Sequence, residues 1–202
     1  MWRPMSASKK YKVNEIFYSL QAEGKNAGTP AVFVRFSKCN LTCPFCDTNH
    51  EPFVEMTKDE IEARVKELDP SGEAIVVITG GEPTLQLTEK EPMFENRYTA
   101  METNGIIKAP RWVKWVTISP KTKLSQAKLA NASELKFLYG WFDDKYLTEV
   151  IEPLATLYGI KLYIQPTADK DGKFDVIPAA EFAKAHPVWR LSLQWHKLFN
   201  IQ

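Results

Sequence analysis

The chain has 202 residues, of which 44% are hydrophobic and 25% are charged, and its formal net charge is +1. This length and composition indicate one globular domain with a substantial core. Because the net charge is close to zero, we expect neither a nucleic acid nor a membrane as a partner. No apolar run approaches the ~20 residues that a membrane span needs. The polar residues 1–10 predict a flexible N-terminal arm, and residues 11–202 then form the domain.

Strand-like and helix-like segments alternate along the chain, which predicts an α/β fold with a mainly parallel sheet. The predicted strands are 31–36, 74–79, 98–102, 113–118, 134–138, 161–165 and 188–194. A first helix begins at Thr57, which forms a capping box with Glu60. Apolar residues at helical spacing predict a second helix over 147–158, which Pro153 kinks or delays. A third helix is predicted over 178–185.

Glycines and polar residues recur where the predicted strands end. The segments are Gly80-Gly81-Glu82-Pro83, Glu102-Thr103-Asn104-Gly105, Ser119-Pro120-Lys121 and Gln165-Pro166. Parallel α/β folds carry their functional groups at the carboxyl ends of the strands. The sequence therefore predicts an active site at this edge of the sheet.

The three cysteines of the chain lie close together, as Cys39-x3-Cys43-x2-Cys46. An odd, clustered set does not suit a disulfide framework and indicates metal or redox chemistry in a reducing compartment, which we expect to be the cytoplasm. Three thiolates can hold three irons of a [4Fe–4S] cluster and leave the fourth iron open to a small molecule. The alternative is a closed zinc site completed by His50, in a protein without enzymatic activity.

The cysteine spacing, which follows a predicted strand and has Phe45 before the last cysteine, resembles the radical S-adenosylmethionine superfamily. The segment from Ile78 to Pro83 resembles that superfamily's Gly-Gly-Glu-Pro motif, where glycine lets the backbone approach a ligand closely. The resemblance implies a partial (β/α) barrel. It also implies an enzyme in which a [4Fe–4S] cluster cleaves S-adenosylmethionine to release a radical.

Further matches, in chain order, resemble the 7-carboxy-7-deazaguanine synthase family. They are Glu15–Gly24, Gly28–Pro30, Phe33–Arg35, Cys46–Thr48, Glu102–Gly105, Ser119–Lys121, Glu134–Phe137, Gln165–Pro166 and Arg190–Lys197. The resemblance implies a carbon–nitrogen lyase that contracts the ring of 6-carboxy-5,6,7,8-tetrahydropterin and releases ammonia, in queuosine-type biosynthesis. It also implies Mg²⁺, an unidentified electron donor and a homodimer. An activase that makes a glycyl radical on a protein partner shares the cysteine spacing and stays as the alternative enzyme.

The resemblance implies roles for individual residues, and no catalytic residue beyond the cluster and the cofactor. Cys39, Cys43 and Cys46 would hold the cluster, and Thr48 would hold Mg²⁺. The residues expected at S-adenosylmethionine are Phe45, Cys46, Asp47, Gly81, Ser119, Pro120, Lys121, Gln165, Pro166, Thr167 and Ala168. The residues expected at the pterin are Leu20, Gln21, Ala22, Glu23, Arg35, Thr79 and Gln202.

The chain also departs from the family pattern. Ala22 and Asn200 stand where the family usually has glycine, and Ser37-Lys38 replace the usual glycine before the first cysteine. The stretch between Gly81 and Tyr98 is short and contains a proline, which predicts a truncated helix there.

Overall fold

The computed structural model describes residues 8–46, 48–124, 129, 131–167, 173 and 175–201. Within these residues the chain forms a nine-stranded sheet with the strand order β3-β1-β2-β4-β5-β6-β7-β8-β9. The strands are β1 (Lys10–Leu20), β2 (Pro30–Phe36), β3 (Val54–Thr57), β4 (Ile75–Gly80), β5 (Thr99–Thr103), β6 (Trp115–Ile118), β7 (Glu134–Leu138), β8 (Lys161–Gln165) and β9 (Trp189–Leu191). The helices are α1 (Lys58–Leu68), α2 (Asp144–Tyr146), α3 (Glu152–Tyr158), α4 (Ile177–Ala185) and α5 (Trp195–Phe199).

The sheet is mainly parallel and open, as predicted. Every neighbouring pair from β2 to β9 is parallel, whereas β1 pairs antiparallel with both β2 and β3. The described strand order runs from β3 to β9 without closing, which confirms the expected partial barrel. The strands β1 and β3 were not predicted. In β1 the buried Tyr11 and Val13 alternate with polar residues only briefly, because a register shift between Val13 and Glu15 breaks the period of two.

Helix α1 begins where the capping box predicts. The hydroxyl of Thr57 accepts a hydrogen bond from the backbone N–H of Glu60 (3.3 Å), and the backbone N–H of Thr57 donates to the Glu60 carboxylate (2.7 Å). Two backbone donors at the helix start are thereby satisfied. The helix buries Ile61 and Val65 against the sheet.

The second predicted helix is interrupted near Pro153. The short α2 passes into a π-helical turn over Leu147–Ile151, and α3 follows with Pro153 in its first turn. Proline cannot donate a backbone hydrogen bond to the preceding turn, so the regular pattern changes there. Gly159 ends the helix with a φ of +67°, the left-handed conformation that glycine adopts without strain.

The two faces of the sheet differ in polarity. One face packs under the helices as the main core and includes Val34, Ile78, Met101, Leu135 and Ile164. Successive strand residues point to opposite faces, so the intervening residues form a second, inner face. That face has only a small apolar cluster at its base, and polar residues nearer the carboxyl ends of the strands. The inner face is therefore the surface suited to a polar ligand.

Two other boundaries differ from the sequence-based prediction. The strand β9 ends at Leu191, before the predicted end at Gln194, and the side chains of Ser192 and Gln194 bond to the segment after β1. The helix α5 then follows and was not predicted. Between Gly81 and Tyr98 the main regular element is a 3₁₀ turn at Pro83–Leu85, which agrees with the predicted truncation.

The first described residues bear on the predicted arm. Residues 1–7 lie outside the described part of the chain, and β1 already begins at Lys10. No helix in the described ranges is long and apolar enough to cross a membrane.

Candidate functional site

The cysteine loop leaves β2 at the carboxyl edge of the sheet. Cys39 and Cys43 are half-buried, Cys46 is exposed, and none of the three is in a disulfide. Lys38 has a φ of +74° and turns the chain into the loop, and its backbone N–H donates to the carbonyl of His50 (3.0 Å). The loop is thus closed at its base, with all three thiols on one short segment.

The end of β4 approaches the cysteine loop so closely that only glycine fits. The backbone N–H of Gly81 donates to Phe36 (3.0 Å), and that of Glu82 donates to the carbonyl of Lys38 (2.9 Å). A Cβ on Gly81 would overlap the Lys38 carbonyl and lie 3.0 Å from the Cβ of Cys39. Gly81 therefore allows β4 to pack against the cysteine loop, while its contact with S-adenosylmethionine stays a prediction.

A buried carboxylate fastens the loop to the neighbouring strand. Glu82 is fully buried and accepts hydrogen bonds from the Thr84 N–H (3.1 Å), the Thr103 hydroxyl (2.7 Å) and the Asn104 N–H (2.7 Å). The Asn104 amide then donates to Asn40 in the cysteine loop (2.8 Å). The Gly-Gly-Glu-Pro and Glu-Thr-Asn-Gly segments therefore act together as a clamp, a role that the sequence did not reveal for Glu82.

Three free cysteines on one short loop supply the thiolate ligands that iron–sulfur clusters take. Burial raises the pKa of the Cys39 and Cys43 thiols, and the nearby Lys121 ammonium partly opposes the rise at Cys43. Within the described residues, no three His, Cys, Asp or Glu side chains are gathered around a single-ion position, so the closed zinc site with His50 is not formed. A four-iron cube distributes its cysteine ligands over separate irons and does not need that convergence.

Several residues expected at S-adenosylmethionine meet beside the cysteine loop. The ring of Phe45 lies edge-on to Trp141, with 4.6 Å between the centroids, and the Trp141 indole N–H donates to the carbonyl of Lys121 (3.0 Å). The Lys121 ammonium donates to the Ser119 hydroxyl (2.7 Å). Burial, helped by the neighbouring Lys136, lowers the pKa of Lys121. The structure thereby joins the ends of β6 and β7 to the cysteine loop.

The remaining cofactor predictions fall at the end of β8. Gln165 and Pro166 are buried, and Thr167 is exposed. The side-chain oxygen of Gln165 accepts a hydrogen bond from the Ser192 hydroxyl (2.9 Å). Asp47 and Ala168 lie outside the described residues.

A row of polar side chains crosses the inner face below the cysteine loop. Arg35 and Thr79 are register partners on β2 and β4, and Thr117 pairs with Glu102 on one side and Glu134 on the other. The Thr117 hydroxyl donates to the Glu134 carboxylate (2.9 Å), and burial raises the pKa of that carboxyl. Of this row, the sequence singled out Arg35 and Thr79 as substrate residues.

The guanidinium of Arg35 is held by a carboxylate on the adjacent strand. Its Nε donates to Glu15 (2.7 Å), and the two residues are register partners across β1 and β2. Thr48 lies in the cysteine loop, and the Sγ of Cys46 is 3.7 Å from its carbonyl oxygen. The structure thus places both predicted residues at this edge of the sheet.

The β1–β2 loop (residues 21–29) covers one side of the polar row. The Gln21 side chain donates to Glu102 (2.9 Å) and accepts from the backbone N–H groups of Ala22 (2.7 Å) and Glu23 (3.1 Å). Gln21 and Ala22 are buried, and Leu20 is exposed. The predicted substrate residues of this loop therefore lie next to the face of the sheet that carries Arg35. Gln202 lies outside the described residues.

Comparisons with known proteins agree with this geometry. The family model described as the radical SAM superfamily matches residues 33–131. The chain is 40% identical to a 7-carboxy-7-deazaguanine synthase of Bacteroides thetaiotaomicron, over 95% of this chain and 98% of that protein. It is 36% identical to one of Burkholderia multivorans, over 95% and 99%. A solved structure, the crystal structure of QueE from Escherichia coli, matches with a TM-score of 0.71 at 25% identity, over 92% and 94% of the chains.

Proposed function

The chain belongs to the 7-carboxy-7-deazaguanine synthase family of radical S-adenosylmethionine enzymes, and we propose that it converts 6-carboxy-5,6,7,8-tetrahydropterin to 7-carboxy-7-deazaguanine with release of ammonia. The observation that carries the proposal is the polar row on the inner face, directly below three free thiols. The near-complete coverage of synthase relatives favours this reaction over the glycyl-radical activase and the zinc module.

Cys39, Cys43 and Cys46 would hold the [4Fe–4S] cluster, and Gly81 lets the end of β4 pack against the cysteine loop beside it. When bound, the cluster and S-adenosylmethionine supply the carbon radical that such a rearrangement needs. The protein's own part is to bind the pterin, fix its orientation and keep water away.

The polar row supplies groups that match a carboxylated pterin. Arg35 is oriented by Glu15 through Nε, and the planar guanidinium can present two further nitrogens to a carboxylate. The Glu102 carboxylate, which the Gln21 amide orients by donating to it, can accept from the amino and ring N–H groups of a pterin. Thr79, the register partner of Arg35, lies on the same face and completes the proposed substrate contacts.

Four further parts of the proposal come from the family likeness. Thr48 would contribute an oxygen to Mg²⁺, a hard ion that keeps most of its waters and takes few protein ligands. An electron donor of unknown identity would reduce the cluster. We also propose that the enzyme acts as a homodimer in the reducing cytoplasm.

The test is an anaerobic assay of the reconstituted protein. The cluster is rebuilt with iron and sulfide, and S-adenosylmethionine, Mg²⁺, a reductant and carboxytetrahydropterin are added. We expect 7-carboxy-7-deazaguanine by mass spectrometry. Abundant 5′-deoxyadenosine without that product would retain the radical enzyme and reject the substrate, and neither compound would reject both.

The cluster assignment predicts the behaviour of a cysteine variant in the same assay. Cys46→Ala removes an exposed thiol and should leave the fold intact while abolishing turnover. Iron and sulfide content after reconstitution measures the loss of the cluster, and circular dichroism is the control for folding. Full activity of Cys46→Ala would contradict the assignment.

A further inference from the structure

Lys136 on β7 is a buried lysine to which the proposed mechanism gives no role. Its side chain is 4% exposed and points to the inner face, next to the polar row. Lysine is almost never fully buried unless its charge is paired. The groups that pair with Lys136 therefore indicate what it does.

The partners of Lys136 form a closed ring with the β1–β2 loop. Its ammonium forms an ion pair with Glu23 and lies 3.6 Å from the Glu102 carboxylate. Glu102 accepts from the side chain of Gln21 (2.9 Å), and Gln21 in turn accepts from the backbone N–H of Glu23 (3.1 Å). Gln21, through Glu102, and Glu23, directly, are thus both linked to the Lys136 ammonium.

The ring extends to the segment after β9. Glu23 accepts a second hydrogen bond from the Gln194 side chain (2.8 Å), and the Ser192 hydroxyl lies 3.2 Å from the backbone N–H donor of Gly24. The β1–β2 loop and the segment after β9 therefore meet over the inner face. Lys136 stands beneath this junction.

The electrostatics agree with a cation that holds Glu23 ionised. Burial by itself would raise the pKa of Glu23, but Lys136, Gln194 and the nearby His196 more than offset that effect and bring it to about 2. Burial would likewise lower the pKa of Lys136, yet Glu102 and Glu23 raise it above its ordinary value. The pair is therefore charged on both sides at neutral pH.

We propose that Lys136 is a positioning residue, which acts through Glu23 to hold the β1–β2 loop and the segment at Gln194 as one wall of the substrate site. This inference rests on the proposed function, because the wall is useful only if the pterin binds against Gln21 and its neighbours. Lys136 itself does not contact the pterin. Losing it should loosen the wall and weaken pterin binding.

A double-mutant cycle distinguishes this role from direct substrate contact. Lys136→Met and Glu23→Gln should each raise the KM for the pterin by about tenfold or more, with a smaller change in kcat. Because Lys136 acts through Glu23, the double variant should lose no more than the worse single variant. Losses that multiply in the double variant would overturn the proposal, and so would an unchanged KM in Lys136→Met.

A second readout does not depend on turnover. Hydrogen exchange measured by mass spectrometry on the reconstituted protein should show faster exchange over residues 21–29 in Lys136→Met. The matched control is Lys145→Met, which removes an exposed lysine that forms an ion pair with Glu149 in the next helical turn. Equal protection of residues 21–29 in wild type and Lys136→Met would overturn the proposal.

Two other results are decided by the same variants. Lys136→Met leaves buried carboxylates without their cation and can fail to fold; the double variant, in which the Glu23 charge is also removed, is then compared with Glu23→Gln. A higher KM in the double variant than in Glu23→Gln would overturn the proposal, and an equal KM supports it. If the wild type makes no product, the proposed function fails, and loop protection alone decides the role of Lys136.

Discussion

Three described residues other than glycine, Lys38, Phe94 and Asn200, adopt a backbone conformation that glycine usually provides, and two of them coincide with departures from the family pattern. Lys38 and Asn200 have φ values of +74° and +52°, and both stand where the family pattern has glycine at or beside the position. A side chain in this region costs about 1–2 kcal/mol, less for asparagine, which tolerates it. Ala22, the third departure, has no positive φ and so needs no glycine. The turn into the cysteine loop is therefore kept despite the substitution.

Lys38 gains contacts that offset the strain of its backbone. Its ammonium forms an ion pair with Glu51 and lies 5.9 Å from the ring centroid of Phe53. Both partners are in the segment that closes the cysteine loop. The side chain thus stabilises the loop from outside, where glycine would make no contact.

The close approach at Gly81 predicts that even a methyl group disrupts the cysteine loop. In Gly81→Ala the new Cβ would overlap the carbonyl of Lys38 and press on Cys39, so the loop must move. We expect iron incorporation and turnover to fall by about tenfold or more, since misplacement by about 1 Å is costly at a reacting site. Iron content and 5′-deoxyadenosine formation measure the effect.

Gly159→Ala is the control for this substitution. Gly159 has a φ of +67°, and open space surrounds the position of its Cβ. That variant should cost about 1 kcal/mol of stability through backbone strain and leave activity unchanged. Normal iron content in Gly81→Ala would show that the approach of β4 is not needed.

At the scale of elements, sequence patterns predicted the strands that pair in parallel, β2 and β4 to β9. The run Ile75–Gly80 is apolar on both faces, which identifies a central parallel strand without further information. The antiparallel β1 and the short β3 at the edge are partly polar, so their pattern resembles that of a loop. The strands β1 and β3 are specified by their pairing with neighbouring strands rather than by their composition, and this pairing is not visible in a single sequence.

The candidate site likewise contains residues that the sequence could predict and contacts that it could not. The cysteines were predictable because their spacing is local, and so was Gly81 at the end of a buried strand. The ion pair between Lys136 and Glu23 joins residues 113 positions apart, and the bond from Gln21 to Glu102 spans 81. Such contacts depend on strand order, which the alternation of elements does not determine. The polar row could be located only once the register was known.

The connection between α1 and β4 contains an acid-sensitive ion pair. Asp69 at the end of α1 lies 2.6 Å from the guanidinium of Arg97, and also accepts hydrogen bonds from Ser71 and from the backbone of Ala74. Burial opposes ionisation of Asp69, but these partners outweigh it and lower its pKa to about 2. A lowered carboxyl pKa stabilises the fold above the unfolded pKa, and this stability is lost as the pH falls toward the folded value.

We therefore expect the unfolding free energy to fall between about pH 4 and pH 2, and the Asp69→Asn variant to lose part of that dependence. Urea unfolding at pH 7, 4 and 2.5, values spaced about the two pKa values, measures it. Glu149→Gln, which removes an exposed helical carboxylate, is the control and should keep the wild-type slope. An identical dependence of the unfolding free energy on pH in Asp69→Asn and wild type would show that Asp69 does not cause it.

In the whole molecule, the two faces of one sheet have different roles, one in stability and the other in binding. The outer face is apolar and supplies stability through helices α1 and α4, among others. The inner face concentrates charges that would be costly in a core and that need a ligand or a covering loop. The sheet is open, and the β1–β2 loop and the segment after β9 meet over its inner face. Stability and binding are therefore carried by different residues.

The position of α5 leads to the last prediction. This short helix buries none of its residues, yet the N–H of Trp195 donates to the carbonyl of Ala22 (3.4 Å) and its ring lies near Gly28. Deleting residues 195–202 should therefore lower the Tm by no more than about 2–4 °C, equivalent to about 1 kcal/mol. It should also weaken pterin binding by about tenfold, because the β1–β2 loop loses its cover. Trp195→Ala, which keeps the chain length, should reproduce part of the loss in affinity. A large fall in Tm with unchanged affinity would instead make α5 a structural element of the fold.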